Sequence, residues 1–385
     1  MKQPTIGLLF PRSSSYPGIG YDVTEGFRAA LDHYGRDIKV VTESVGIGGI
    51  GNEVYKAAES LLMNHGVDLL VAFIDHFAAE KIEPLCTAAN KLLLVIEPGG
   101  VIPTSWAAAP LRFHITLDAA FGSRIAGHMA GLEGMKKTVF ATSFYDGGYL
   151  NCSAYIDGYT AWGGAVCHNF VTPFRFEDFK IEPLLNAVDE HRPDSILAQF
   201  SYDTGKLFLD EYGKSEISGQ LQFYASPFLL EESFLQTVPF AITGIRGAVP
   251  WSVQLQNETN LAFLAAMEEQ GRQGNCFSAL SWDAAQFAVK AIEALSACKN
   301  NGLKAAALLN NIEIESTRGV LRHDTATNYF YGPLYEAEVV ADENGRCKLD
   351  IKEEISFLEE QWKEHTSKPM THTHSRWTNT YLCTT

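Results

Sequence analysis

Apolar residues along this chain fall into two rhythms that alternate. Short continuous runs such as Thr5 to Phe10, Leu69 to Phe73 and Leu92 to Ile96 are separated by stretches whose apolar positions recur every three to four residues. The runs predict strands buried on both faces of a parallel sheet, and the periodic stretches predict helices. Val67 to Gly100 holds one complete unit: strand Leu69 to Phe73, a helix over Phe77 to Ala89 with Phe77, Ile82, Leu85 and Ala89 on one face, and strand Leu92 to Ile96. Ahead of it come strand Thr5 to Phe10, a turn-rich stretch Pro11 to Gly20, a helix from about Asp22 to Tyr34, strand Ile38 to Val41, a glycine-rich loop Gly46 to Gly51 and a helix from about Asn52 to His65. Strands and helices alternating at this interval predict an α/β fold with a doubly wound sheet.

The rhythm pauses over Val101 to Pro110 and resumes with a helix near Ala119 to Leu132, so a domain boundary is expected near Ile115 to Asp118. A second series follows. It comprises strands Thr138 to Ala141, Ala165 to Phe170, Ser195 to Gln199 and Gln220 to Ala225, with helices near Leu150 to Trp162, Asp178 to His191 and Thr204 to Tyr212. Beyond an extended Phe240 to Ile245 come helices near Glu258 to Gln270, Ser281 to Ser296 and Leu303 to Asn310. The strands Val320-Leu321, Leu334 to Val340 and Cys347 to Ile351 follow, with Asn344-Gly345 as a hairpin turn. Thr371 to Thr385 is polar and without period.

Ligands of open α/β sheets bind outside the carboxyl ends of the strands. That rule singles out Asp75 and His76 after one strand and Pro98, Gly99 and Gly100 after the next. Asp75 also fits as a helix N-cap, and the two roles are compatible. The loop Gly46 to Gly51 lacks the GK[ST] ending of a phosphate loop and the spacing of a dinucleotide fingerprint, so it reads as a loop at the rim of the site.

Composition narrows the function. Hydrophobic residues make up 46% and charged residues 20%, as in a folded globular chain. A net charge of -16 excludes a nucleic-acid partner, which would need a basic surface. No run of about 18 apolar residues occurs, so no stable membrane insertion is expected. The seven cysteines are odd in number and have no CxxC spacing, so no structural zinc site is indicated, while a disulfide or two could form with a pairing that spacing leaves open. No nucleophile elbow, HExxH helix or Cys/His pair is present, so no catalytic residue, no metal and no cofactor is expected, and His372-Thr373-His374 reads as a polar tail.

TIGLLFP with GFRAALDHYG, VDLLVAFIDH with KLLLVIEPGG, FYDGGYLNCSAYIDGYTAWGG, and SWDAAQFAVKAIEAL with STRGVLRHDTATN together resemble the type I periplasmic binding proteins, within them the branched-chain amino-acid binders of ABC transporters. The resemblance covers about Thr5 to Asp350. It implies two doubly wound parallel-sheet lobes joined by three crossover strands with a ligand cleft between. Lobe 1 would be residues 1–117 plus 243–322, lobe 2 residues 118–242 plus 323–360, and 361–385 a tail. It also implies a non-enzymatic protein that captures a small molecule and delivers it to an ABC transporter permease, in the periplasm or another extracytoplasmic space. A cytosolic, amide-sensor-like regulator of the same fold is the alternative. Where amino-acid binders hold the ligand carboxylate with hydroxyls, this chain has Asp75-His76 and Pro98-Gly99-Gly100, so the ligand is not expected to be a standard branched-chain amino acid. On lobe 2 the matching positions are Tyr149, Tyr202, Tyr224 and Ser226, the last where amino-acid binders place an acid for the ammonium. Each of these tyrosines also fits as strand-end packing, and Trp251 as packing at the hinge.

Overall fold

A computed structural model of the chain describes residues 3–49, 51–367, 377 and 379–383; the stretch His372-Thr373-His374 lies outside them. In chain order the elements begin with β1 (Thr5–Phe10), α1 (Ile19–His33), β2 (Lys39–Ser44), α2 (Gly51–Glu59), β3 (Leu69–Phe73), α3 (His76–Ala89), β4 (Leu92–Glu97), β5 (Arg112–Thr116) and α4 (Ala119–Leu132). They continue with β6 (Lys137–Thr142), α5 (Asn151–Thr160), β7 (Ala165–Val171), α6 (Glu182–His191), β8 (Ser195–Gln199), α7 (Tyr202–Lys214), β9 (Gln222–Ala225), α8 (Glu232–Leu235) and β10 (Ile245–Val249). The last third holds α9 (Glu258–Glu269), α10 (Cys276–Ala297), α11 (Gly302–Leu308), β11 (Glu313–Ser316), β12 (Gly319–Asp324), β13 (Tyr329–Tyr331), β14 (Tyr335–Ala341), β15 (Cys347–Glu354) and α12 (Leu358–Ser367).

The chain divides into two units. Unit 1 takes the residues up to Leu117, Val253–Pro333 and the segment Asn379–Cys383; unit 2 takes Asp118–Ser252 and Leu334–Trp377. The sheet of unit 1 runs β11-β12-β13-β5-β4-β3-β1-β2. From β2 to β13 neighbouring strands are parallel, and β12 and β11 add an antiparallel edge. Every residue of β3 and β4 is buried, because helices cover both faces of a sheet wound this way. On one face Leu61, Ala78, Ile82 and Leu85 pack on Leu70, Ala72, Leu93 and Val95. In unit 2 the order is β15-β14-β10-β9-β8-β6-β7, parallel from β7 to β10 and closed by an antiparallel hairpin. That hairpin turns at Gly345, whose φ of +71° only a glycine adopts freely.

Three expectations from the sequence change. The run Phe240 to Ile245 is not the strand; a turn at Gly244 precedes β10, which starts at Ile245 and pairs with β9 in unit 2, so residues 243–252 belong there and not to lobe 1. β13 pairs with β5, so residues 323–333 belong to unit 1. Residues 361–385 are not one tail, since Gln361 to Ser367 complete α12 and Asn379–Cys383 joins unit 1.

Helices α4 and α5 of unit 2 approach closely enough to need glycine. A Cβ on Gly127 would strike the Tyr155 carbonyl oxygen, and one on Gly158 would strike that of Arg124. Among the described residues no helix is long and apolar enough to cross a membrane.

Candidate functional site

Each parallel sheet has one place where the strand order reverses direction, and a crevice opens outside the carboxyl ends of the two strands flanking it. In unit 1 that place lies between β1 and β3. The turns Pro11 to Ser15, Val45 to Gly48, Ile74 to His76 and Pro98 to Gly100 follow β1, β2, β3 and β4 there.

Asp75 ends the turn after β3 and caps α3, its Oδ1 accepting from the Ala78 N–H at 2.6 Å with extended backbone angles. It is 5% exposed, and burial raises its pKa from 3.8 to about 6 against the opposing help of that hydrogen bond. Glu97, at the end of β4, is fully buried. Both carboxylates hold the Cys383 thiol protonated, adding to the larger effect of its burial. Gly99 turns the chain away with φ +80°. A Cβ on Gly100 would lie 2.5 Å from Cγ of Tyr381, so the ring of Tyr381 rests directly on that turn.

His76 takes another part. Its Nε2–H donates to Glu80 Oε1 at 3.0 Å, and its Nδ1 accepts from the Tyr329 hydroxyl at 3.2 Å, the tautomer that a carboxylate acceptor requires. The ring stacks on His114, which stacks on Tyr329 at 4.0 Å, and Tyr329 meets Trp106 edge-on. Burial first, and Arg112 second, lower the His76 pKa from 6.5 to about 3. The Glu80 carboxylate is 46% exposed, too well solvated to offset that. His76 is therefore a neutral ring locked in a stack, while Asp75, Pro98, Gly99 and Gly100 lie in the turns at the carboxyl ends of β3 and β4.

Unit 2 reverses between β6 and β8. There Asp146, fully buried, draws the two strand-end turns together: it accepts from Ser143 Oγ at 2.5 Å, from the Ser201 N–H at 3.1 Å and from Thr204 Oγ1 at 3.4 Å. Tyr149 sits in the same turn, its hydroxyl 2.9 Å from that of Tyr145. The indole of Trp377 covers the turn, stacking on Tyr145 and donating to its carbonyl oxygen at 2.7 Å, and Gly148 has no room for a Cβ beneath it. Ser226 is fully buried after β9, and its Oγ has no hydrogen-bond partner among the described residues.

Two of the four candidates on unit 2 are placed otherwise. Tyr224 donates its hydroxyl to Glu133 Oε2 at 2.6 Å, beneath Arg246. Glu133 caps the last turn of α4, whose first turns carry Gly122 against Pro227 just past β9 and Ser123 against Gln199 at the carboxyl end of β8. The Tyr224 hydroxyl therefore points toward the opposite end of the sheet. Tyr202 opens α7 with φ +28°, and its ring packs on the core of unit 2 beside Phe234.

Sequence reasoning passed over Ser13, Asp146 and the segment Asn379–Cys383. Ser13 lies in the turn after β1 and donates its Oγ to the Leu382 carbonyl oxygen at 2.6 Å. A strand-end rule applied to β1 would have found Ser13, and one applied to β6 would have found Asp146. Nothing local in NTYLC signals its place.

A family model described as periplasmic binding protein matches residues 3–345. No curated protein matches the chain. Among solved structures, an ABC transporter substrate-binding protein from Sphaerobacter thermophilus superposes with a TM-score of 0.79 at 15% identity, over 92% of this chain and 98% of that one. A solute-binding protein of an ABC transporter from Rhodopseudomonas palustris in complex with benzoate gives 0.72 at 21%, over 92% and 98%. The branched-chain amino acid transporter substrate-binding protein of Streptococcus pneumoniae in complex with isoleucine gives 0.71 at 16%, over 92% and 100%. At these identities the likeness shows the fold: two α/β units of the type I periplasmic-binding-protein kind.

Proposed function

Since the chain belongs to the periplasmic binding protein family, we propose that it is a non-enzymatic solute-binding protein that captures a small molecule at its strand-end crevices and delivers it to an ABC transporter permease outside the cytoplasm. The observation that carries this reading is the crevice of unit 1. Four consecutive strand-end turns converge at the switch point, with two glycines admitting close approach and two carboxylates buried beside them.

Those carboxylates also shape the ligand. Benzoate and isoleucine, bound by the two relatives named above, each carry a carboxylate. Bringing one against Asp75 and Glu97 in a low-dielectric crevice would place like charges together at a cost of several kcal/mol. The solute therefore presents hydrogen-bond donors or a positive charge to unit 1, and is not a standard branched-chain amino acid. Asp75, Gly99, Gly100 and Ser13 are the contacts proposed in unit 1, and Tyr149 and Ser226 those in unit 2.

The test is a thermal-shift screen of amines, amides, polyols and aromatic acids, followed by calorimetry on the hits and on Asp75→Ala. A bound solute raises the melting temperature in proportion to RT ln(1 + [L]/Kd), and Asp75→Ala weakens that solute at least tenfold. If aromatic acids or branched-chain amino acids bind best and Asp75→Ala leaves them unchanged, the donor-ligand reading is refuted. If no class binds, the solute-binding reading itself falls.

A further inference from the structure

The segment Asn379–Cys383 lies over the carboxyl ends of the unit 1 strands and touches the turns after β1, β2 and β4. After β1, Ser13 Oγ donates to the Leu382 carbonyl oxygen at 2.6 Å. After β2, the Ile47 carbonyl oxygen accepts from the Thr380 N–H at 2.9 Å. After β4, Gly100 carries the ring of Tyr381, and the charges of Glu97 and Asp75 add to burial in holding the Cys383 thiol protonated. The segment is folded as a turn: the Cys383 N–H donates to the Thr380 carbonyl oxygen at 2.9 Å, and the Asn379 side-chain amide donates to the Cys383 carbonyl oxygen at 2.5 Å.

Shape agrees with contact. Tyr381, Leu382 and Cys383 are each 0% exposed. Gly48, at φ +72°, has Thr380 Oγ1 only 2.6 Å from where a Cβ would stand, as Gly100 has Tyr381 at 2.5 Å. Two glycines of the rim thus fit this turn closely. Leu382 has φ +67°, a left-handed conformation that leucine disfavours and that is relieved when the turn departs.

We propose that Asn379–Cys383 is an internal occupant of the unit 1 crevice, a tethered polypeptide turn that must leave before solute enters. The proposal rests on the reading of that crevice as the solute site. A site filled by its own chain binds solute with an apparent affinity reduced by the fraction of molecules in which the turn has left. The same crevice is a binding site for a short peptide of this composition.

The chain ending at Trp377 is titrated by calorimetry with an end-blocked synthetic peptide of residues 378–385. One peptide is expected to bind per truncated chain, none to bind the full chain, and the peptide carrying Tyr381→Ala to bind at least tenfold more weakly. Absence of binding to a truncated chain with a wild-type circular dichroism spectrum and cooperative melt overturns the proposal. Equal binding to both chains does so too. Should truncation impair folding, the full chain is alkylated with iodoacetamide and Cys383 followed by peptide mass spectrometry against Cys298, which is half-buried. Gly100→Ala, which crowds Tyr381, is expected to speed Cys383 labelling at least tenfold relative to Cys298, and an unchanged ratio refutes the occupant. The two readings fail separately. A solute that binds but leaves Cys383 protected removes the occupant and keeps the solute-binding function, whereas peptide binding without any solute hit does the reverse.

Discussion

Acid should weaken unit 1 through His76, by an amount the structure sets. The ring is 1% exposed and its pKa falls to about 3 in the folded chain, against 6.5 for an ordinary histidine. Between those values the unfolded chain binds a proton that the folded chain refuses, so stability rises with pH and is lost as pH falls. Well inside the window each pH unit is worth about 1.4 kcal/mol, and about half that at pH 6.5 where the unfolded ring is half protonated, so acidifying from about pH 6.5 to about pH 4.5 removes roughly 2.3 kcal/mol through His76 alone. Asp75 and Asp283 work in the opposite sense. Burial raises both from 3.8 to about 6, so each is protonated more readily when folded and offsets part of the loss. The His76→Gln variant isolates the histidine, because glutamine can still bond Tyr329 or Glu80 but does not titrate. Urea unfolding at a series of pH values, read by hydrogen exchange of the β4 amides so that unit 1 is followed by itself, gives the difference between wild type and variant. That difference should shrink by roughly 2.3 kcal/mol over the two acid units. A difference that stays constant, or grows on acidification, refutes the argument that desolvation dominates at His76.

Asp75→Asn keeps an N-cap while deleting the buried charge. With the native pKa raised, ionised Asp75 destabilises the fold above about pH 6, so the variant should gain stability at about pH 7.5 and lose that gain near pH 4.5, as urea midpoints would show. Tyr224→Phe removes the donor to Glu133 and should cost about 1.5–3 kcal/mol by denaturation, with solute affinity by calorimetry unchanged because the hydroxyl faces away from the strand ends. Gly127→Ala forces a methyl onto the Tyr155 carbonyl, and the expected loss is about 1–3 kcal/mol in unit 2, seen as a lower melting temperature.

The strands buried on both faces were plain in the sequence, since β3 and β4 are continuous apolar runs. β5 was hidden for a physical reason. Its residues RFHIT put Arg112 beside Glu83 at 2.6 Å and His114 in a ring stack, so partners elsewhere in the chain satisfy side chains that break the apolar run. β13 was hidden by length, three residues held by pairing with β5 and β12. At the candidate site, the position of the turns after β3 and β4 followed from the strands alone. His76 was legible as a strand-end residue but not as a member of a stack with His114 and Tyr329, which lie far apart in sequence. Tyr224 misled because strand period places a side chain on a face and leaves open which end of the sheet its hydroxyl reaches.

Unit 1 is assembled from three separated pieces of chain, and that imposes an order on its synthesis. Phe330 of β13 pairs with Ile115 of β5, so about 200 residues must leave the ribosome between one strand and its neighbour, a wait on the order of 10–40 s at 5–20 residues per second. During that interval β5 has an open edge, a hazard for pairing with other chains. Its residues Arg112 and His114, which disguised the strand in the sequence, are poor partners for a foreign strand. The polar side chains that obscure β5 to a reader thus also guard it while the nascent chain waits for its last third.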